Sequence, residues 1–435
     1  MFRIATLWAI IVCSCAGAAA AQIPQSPIPY PQSPSTMEAI TLDEAVQRAL
    51  KNNPTVAQAA EGVLRAEALL QQARAVTLPS VAATFTNATI DSERGFNGAV
   101  TQPQSQSALS ATIGMPVLAL SRWAAATQAR DQVEVSRLST ADIRTEIAIA
   151  TAQAYLAVLA LKRQVDVNAR ARETALAHLD YAQRRLQAGA GTRLNELRAA
   201  QEVSTDEARL ETAQLGVSRA QEALGVLVVA EGPIDAAGEP VFDVSNALAP
   251  IARDSPLLST RPDIQFSAAT ARAAERVWRD SYKDYFPTGT VSFDPQSLMP
   301  SGAFTSPRSW RLTVMFSQPI FDGWLRRGQS RFREAQFNTS RLALEGLEIQ
   351  ARSEVRVAQE TVRSSERVLT SLRTAAQQAG GVLEIVNIAF EAGATTNLEV
   401  IDAQRQARDA DSAAVAENAL WRARLDLLAS LGRFP

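Results

Sequence analysis

The chain has 435 residues, with 43 Lys and Arg against 45 Asp and Glu and a formal net charge of −2. That near-balance excludes a domain that binds nucleic acid through bulk positive charge, and it excludes an acidic tail protein. A hydrophobic share of 46%, much of it Ala, is too apolar for a disordered chain and too small in side-chain volume for a thick core, and with one His and two Cys no metal, cofactor or Cys/His chemistry is expected.

Residues 1–22 read as a secretory signal: Arg3 is a short basic start, Ile4 to Val12 is an apolar run of nine residues, and Ala19-Ala20-Ala21 precedes Gln22. Nine residues are too few to span a bilayer. Cys13 and Cys15 both lie in this segment, so cleavage near Ala21 leaves a chain without disulfides. Val12-Cys13-Ser14-Cys15 also loosely resembles a lipobox, which makes Cys15 a candidate for lipidation. Residues 23–40 form a linker in which Pro24, Pro27, Pro29, Pro31 and Pro34 favour an extended chain.

A first structural unit spans residues 41–230. Thr41 caps a helix with Glu44 three residues on, and Asn52-Asn53-Pro54 breaks it. A second helix runs from about Thr55 to Ala75. Residues 80–90 and 107–118 are rich in β-branched side chains with partial alternation and read as strands, joined by a loop over 91–106. From Trp123 to Ala188 there is no Pro or Gly, which predicts one very long helix; Gly189-Ala190-Gly191 ends it, and a helix from Leu194 to Val229 returns as an antiparallel hairpin. Val203, Leu210, Val217 and Leu224 fall at seven-residue steps, with Ala213, Ala220 and Leu227 three residues after the last three, the seam of a coiled coil. The best candidate for a membrane helix, Ile147 to Leu161, is 15 residues long and too polar.

A linking segment covers residues 231–257, and residues 258–435 then repeat the order. Arg261-Pro262-Asp263-Ile264 stands where Asn53-Pro54-Thr55-Val56 stood. Strands are expected over about 288–294 and 309–317, with a loop over 295–308, and a long hairpin over 325–431. Two strands per half cannot make a stable sheet or barrel alone, and four are still too few, so several copies would have to share one.

The ordered strings Leu42-Asp43-Glu44-Ala45, Asn52-Asn53-Pro54, Pro256-Leu257-Leu258, Arg261-Pro262-Asp263-Ile264, Gln318-Pro319-Ile320-Phe321-Asp322-Gly323, and Gly393 to Leu398 followed by Glu399-Val400-Ile401-Asp402-Ala403 resemble the TolC family of outer-membrane channels. The resemblance covers residues 40–435. It implies a mainly α fold with a small β part: duplicated halves, long antiparallel coiled-coil hairpins, and four strands given to a twelve-stranded barrel shared by a homotrimer in outer-membrane lipid. It further implies a periplasmic tunnel, a periplasmic adaptor protein and an inner-membrane transporter as partners, and no enzymatic activity.

In the family, acidic residues near the tip of the last helix narrow the pore, which here points to Glu399 and Asp402 as two carboxylate rings; the matching positions in the first half are Asn195 and Arg198. Three residues apart, Glu399 and Asp402 share a helix face, and two acids near a helix start are also what a helix dipole favours. The tips, with Gly189, Leu194, Leu197, Gly393, Leu398 and Ile401, are the expected adaptor contacts. Trp123 and Trp324 follow the strands and are candidate anchors at the inner membrane edge. His178, mid-helix and alone, is expected to be a surface or packing residue rather than a ligand. The competing reading is a soluble periplasmic coiled-coil scaffold; a secreted hydrolase has no triad or metal set to support it.

Overall fold

The structure is a computed structural model and describes residues 37–244, 247–248, 260–414 and 416–434. The leader, Cys15, the Pro-rich linker before residue 37 and Pro256-Leu257-Leu258 lie outside the described residues.

The two halves share one frame, a leading helix, two long strands, a very long helix and a return. In the first, α1 (Leu42–Asn52) and α2 (Pro54–Ala75) lead into strand β2 (Ser80–Thr89). A short hairpin of β3 (Arg94–Phe96) and β4 (Ala99–Gln102) follows, then β5 (Ser105–Leu118), α3 (Leu120–Gln187) and α4 (Arg193–Val228). In the second, α5 (Pro262–Arg279) and a 3-10 turn (Asp280–Tyr285) lead into β7 (Thr288–Met299), β8 (Arg308–Ser317), α6 (Leu325–Glu391), α7 (Asn397–Ala414) and α8 (Glu417–Ser430). Two-residue strands β1 (Ala39–Ile40) and β6 (Asp235–Ala236) pair in parallel beside the helices.

Local chemistry sets the boundaries. Thr41 Oγ1 accepts from the Glu44 amide at 3.3 Å and caps α1. Asn53 ends α1 and starts α2: its Oδ1 accepts from the Thr55 amide at 2.9 Å, Pro54 fills the first helical position, and its Nδ2 donates to the Leu227 carbonyl at 3.1 Å, fixing both helices to the end of α4. Arg261 does the matching work in the second half with charge. It pairs with Asp263 at 2.7 Å and Glu354 at 2.9 Å, and donates to the Ser430 carbonyl at 3.2 Å, joining α5, α6 and the end of α8.

Strands β2, β5, β7 and β8 form one antiparallel sheet in that order, and β2 and β8 are paired on one side only. The register divides its two faces. Val81, Phe85, Leu109, Ile113, Phe293 and Leu312 lie on one face, since Val81 pairs with Ile113, Phe85 with Leu109, and Phe293 with both Ile113 and Leu312. The other face carries Thr84, Thr86, Ser110, Thr112, Ser292 and Thr313. The apolar face is bare within one chain: Val81 is 72% exposed and Trp310 70%. Gly289 lies under Phe316, where a Cβ would come within 2.7 Å of the ring.

Strand β7 runs to Met299, five residues beyond the 288–294 read from sequence, and the stretch 91–106 holds the β3–β4 hairpin. The loop after β7 is sewn to that hairpin and to the start of β5: the Ala303 amide donates to the Val100 carbonyl at 2.7 Å and Gln106 Nε2 to the Pro300 carbonyl at 3.0 Å. Gly302 is buried against the Thr101 carbonyl, where a Cβ has no room, whereas Gly98, with φ +79, has open space around it.

The helices carry the core away from the sheet. Tyr155, Leu156 and Val158 of α3 pack with Leu224 and Val228 of α4, Val362 of α6 and Leu425 and Leu427 of α8. Tyr155 Oη also donates to the Gly238 carbonyl at 2.7 Å. The expected seam in α4 is inward: Val203, Ala213 and Leu224 are buried. Helix α3 contains an 18-residue window of mean hydropathy 1.2, enough for a membrane span by length and composition alone. Its stretch 147–161 instead supplies the buried Ala148, Ala152, Tyr155 and Leu156. At 68 residues α3 is about 100 Å long at ~1.5 Å per residue. The last helix is not continuous to residue 431 as read from sequence: it is divided into α7 and α8.

Candidate functional site

Far from the sheet, both hairpins turn on the same backbone device. Helix α3 ends at Gly189 with φ +74, and the Ala190 amide reaches the Arg185 carbonyl at 2.9 Å; α6 ends at Gly393 with φ +74, and the Ala394 amide reaches the Ala389 carbonyl at 2.8 Å. Each return helix is then capped by a threonine: Thr192 Oγ1 accepts from the Asn195 amide at 3.3 Å and Thr396 Oγ1 from the Glu399 amide at 3.4 Å.

The charges on these matching turns differ. Asn195, Glu196 and Arg198 begin α4, with Glu196 ion-paired to Arg193. Glu399 and Asp402 begin α7, both exposed and with no ion pair of their own among the described residues. Their side of α7 is free because the other side is packed: Val400 is fully buried, and Ile401, Ala403 and Ala407 are buried too. Leu194, Leu197 and Leu398 are exposed at the tips. Ile401, expected among the tip contacts, is only 3% exposed and faces the helical packing.

One turn beyond Asp402 the hairpins are clasped. Arg405 donates to Glu202 Oε2 at 2.6 and 3.0 Å. Arg408 donates to Glu202 Oε1 at 3.1 Å and to Asp206 Oδ1 at 2.8 Å. Glu202, Asp206 and Arg408 are all more than nine-tenths buried. Burial alone would raise the Glu202 carboxyl, but the hydrogen bonds and charges of Arg405 and Arg408 outweigh it and hold the group below the ordinary carboxylate range. Arg405 also feels the charge of Asp402, so the exposed acid and the buried clasp are electrostatically linked.

A second tie lies nearer the tip. His178 of α3 is buried, its Nε2 hydrogen-bonded to Asn397 Oδ1 at 2.7 Å and its ring 5.5 Å from Phe390. Asn397 Nδ2 in turn donates to the Asn195 carbonyl at 3.5 Å, so one amide joins α3, α4 and α7. Burial pushes the imidazole below its ordinary value, against the hydrogen bond from Asn397. The histidine is thus a packing residue with a partner.

Sequence reasoning did not find the clasp. Glu202 and Asp206 are four apart on α4, and Arg405 and Arg408 three apart on α7, spacings that on a lone helix describe a solvated charged face. The available signal was that Glu202 neighbours Val203 of the seam.

Residues 45–228 and 255–433 match a family model described as outer membrane efflux protein. The chain is 32% identical over 279 residues to the outer membrane protein OprJ of Pseudomonas aeruginosa, an alignment covering 60% of this chain and 56% of OprJ. It is 26% identical over 403 residues to the pyoverdine export outer membrane protein OpmQ of the same organism, covering 86% of this chain and 81% of OpmQ. Among solved structures, the Campylobacter jejuni CmeC outer membrane channel superposes with a TM-score of 0.80 at 16% identity, over 90% of this chain and 86% of that one.

Proposed function

The chain belongs to the outer membrane efflux protein family, and we propose that three copies form the outer-membrane exit duct of a tripartite efflux or type I secretion system. The observation that carries this reading is the sheet: one bare apolar face, one polar face, and two unpaired edges of ten residues each, β2 and β8. A single copy in lipid would leave both edges with unsatisfied backbone groups. Pairing β2 of one copy with β8 of the next closes twelve strands from three chains, with the apolar face to lipid and the Ser/Thr face to a water-filled lumen. A soluble scaffold would leave the apolar face in water. On α6, exposed Leu342, Ile349 and Val357 supply a further seam for a neighbouring copy.

The helices then form a periplasmic tunnel whose far end is the pair of tips. Gly189, Leu194, Leu197, Gly393 and Leu398 meet a periplasmic adaptor, and an inner-membrane transporter supplies the driving force. Glu399 and Asp402 line the narrowest point as two rings of three carboxylates, which favour cations. The His178–Asn397 tie and the buried clasp hold α7 inward and keep this aperture narrow. No step of this function is catalytic.

The test is assembly. Cysteine pairs placed along β2 and β8 should cross-link chains into trimers in the membrane. A detergent-solubilised monomer that keeps its full β signature would overturn the shared barrel.

A further inference from the structure

All four crossings between strands and helices gather at one end of the sheet: β2 and β7 begin there, at Ser80 and Thr288, and β5 and β8 end there, at Leu118 and Ser317. Each crossing exposes large side chains, among them Leu78, Trp123, Tyr285 and Trp324. Cations lie over three rings of this region. The Arg327 guanidinium is 5.3 Å from the Trp324 ring, that of Arg326 4.9 Å from Tyr285, and the Lys283 ammonium 6.0 Å from Tyr282. Both halves place Arg beside Trp here, since α3 opens with Arg122-Trp123 and α6 with Arg326-Arg327 two residues after Trp324.

These cations are of two kinds. Lys283, Arg326 and Arg333 are paired with Asp280, Asp322 and Asp284. Arg122, Arg327 and Arg331 are exposed and have no carboxylate partner among the described residues; Arg122 donates only to the Val76 carbonyl at 3.4 Å. Unpaired arginines would normally stay in water. Here Arg327 lies over Trp324, Arg122 adjoins Trp123 in the chain and Arg331 follows Arg327 by one helical turn, next to side chains that settle at a membrane–water interface. A guanidinium stacked on a ring keeps its N–H edge free, and that edge matches a phosphate in a bidentate way.

We propose that this collar of arginines binds the phosphate headgroups of anionic phospholipids in the leaflet that meets the helical end of the sheet. The proposal rests on the outer-membrane seat given above and adds a lipid class to it. Three arginines per chain near the surface correspond to a preference for anionic over zwitterionic lipid on the order of a hundredfold at low salt, falling as salt rises.

The experiment reconstitutes the whole protein in nanodiscs of mixed phosphatidylglycerol and phosphatidylcholine and identifies the lipids it retains by native mass spectrometry. Wild type should retain phosphatidylglycerol selectively. The triple variant Arg122→Gln, Arg327→Gln, Arg331→Gln should lose that selectivity, while Arg341→Gln, an exposed arginine further down α6, should keep it. If the triple variant fails to assemble, Arg331→Gln alone should still lower the preference severalfold. Equal retention of both lipids by wild type, or selectivity preserved in the arginine variants, overturns the proposal, as does displacement of the lipid by inorganic phosphate alone. Conductance of wild type in neutral bilayers reports on the duct separately: conductance without lipid preference sinks only the collar, and no conductance sinks the duct.

Discussion

The two hairpin tips share a backbone and differ in charge. Both end a helix of nearly equal length, 68 and 67 residues, on a glycine at φ +74, and both restart under a threonine cap. On that common frame the first tip carries an internal ion pair, Arg193–Glu196, and the second carries two unpaired acids, Glu399 and Asp402. Deeper in, the roles are complementary: α4 supplies the buried acids Glu202 and Asp206, and α7 the arginines that meet them. The same turn occurs twice, and divergence of a few side chains gives the two tips different charge.

The largest expected effect comes from breaking the complement. Arg408→Ala leaves buried Asp206 with only the longer pair to Arg209 and buried Glu202 with only Arg405, a loss of up to about 3 kcal/mol. Backbone amides at the start of α7 should exchange hydrogen much faster, and the channel should conduct more. Unchanged exchange there would mean that the clasp does not hold α7.

Next comes the asymmetry of the tips themselves. Glu399→Ala with Asp402→Ala should raise the concentration of divalent cation needed to block single-channel current by about tenfold or more, a change of ~1.4 kcal/mol in binding, most clearly at low salt. Asn195→Ala with Arg198→Ala should move it far less. Equal effects at the two tips would dissolve the distinction.

The His178 tie should give a smaller, pH-dependent effect. Its folded-state value is lowered, so the folded protein binds fewer protons than the unfolded chain as pH falls. Its contribution is therefore fully present above the unfolded value of about 6.5 and is eroded as pH drops below it. Thermal melts between neutral and mildly acidic pH should show this slope in wild type and lose that part of it in His178→Gln. An identical acid slope in the two proteins would remove the histidine from the account.

The smallest effects sharpen what the tips share. Gly189→Ala and Gly393→Ala should each cost roughly 1 kcal/mol, and about equally, because both place a Cβ in the left-handed region without crowding it. Calorimetry on the two variants checks this. At the opposite end of the molecule the glycines are unequal. A short tag at Gly98 should be reachable on intact cells, whereas insertion at Gly302 should disturb the loop packed on Thr101. Equal tolerance of both insertions would contradict that packing.

How much of this was legible in the sequence depended on whether the cause was local. The Thr41 cap, the Asn53-Pro54 break and the Gly189 and Gly393 turns are set by a few neighbouring residues, and those strings announce them. The strands were visible where β-branched residues cluster, but Pro295 hid the continuation of β7 to Met299 because its pairing with Trp310 comes from the partner strand. The clasp and the His178–Asn397 bond join residues about 200 positions apart, and the burial of Ile401 is set by packing between helices. Along α4 the one hint of a buried charge is that Glu202 adjoins Val203 of the seam, and helical spacing alone does not separate a buried charge from a solvated one.

The two open edges of the sheet have a genetic consequence. In the proposed ring, where three chains each lend both edges, a single chain with a proline set into β8 would break a seam that its neighbours cannot repair. Cells making equal amounts of sound and edge-blocked chains would assemble only about one sound trimer in eight if mixing is random. Such an allele would be dominant over the normal one, whereas an early truncation that removes the strands altogether would be recessive.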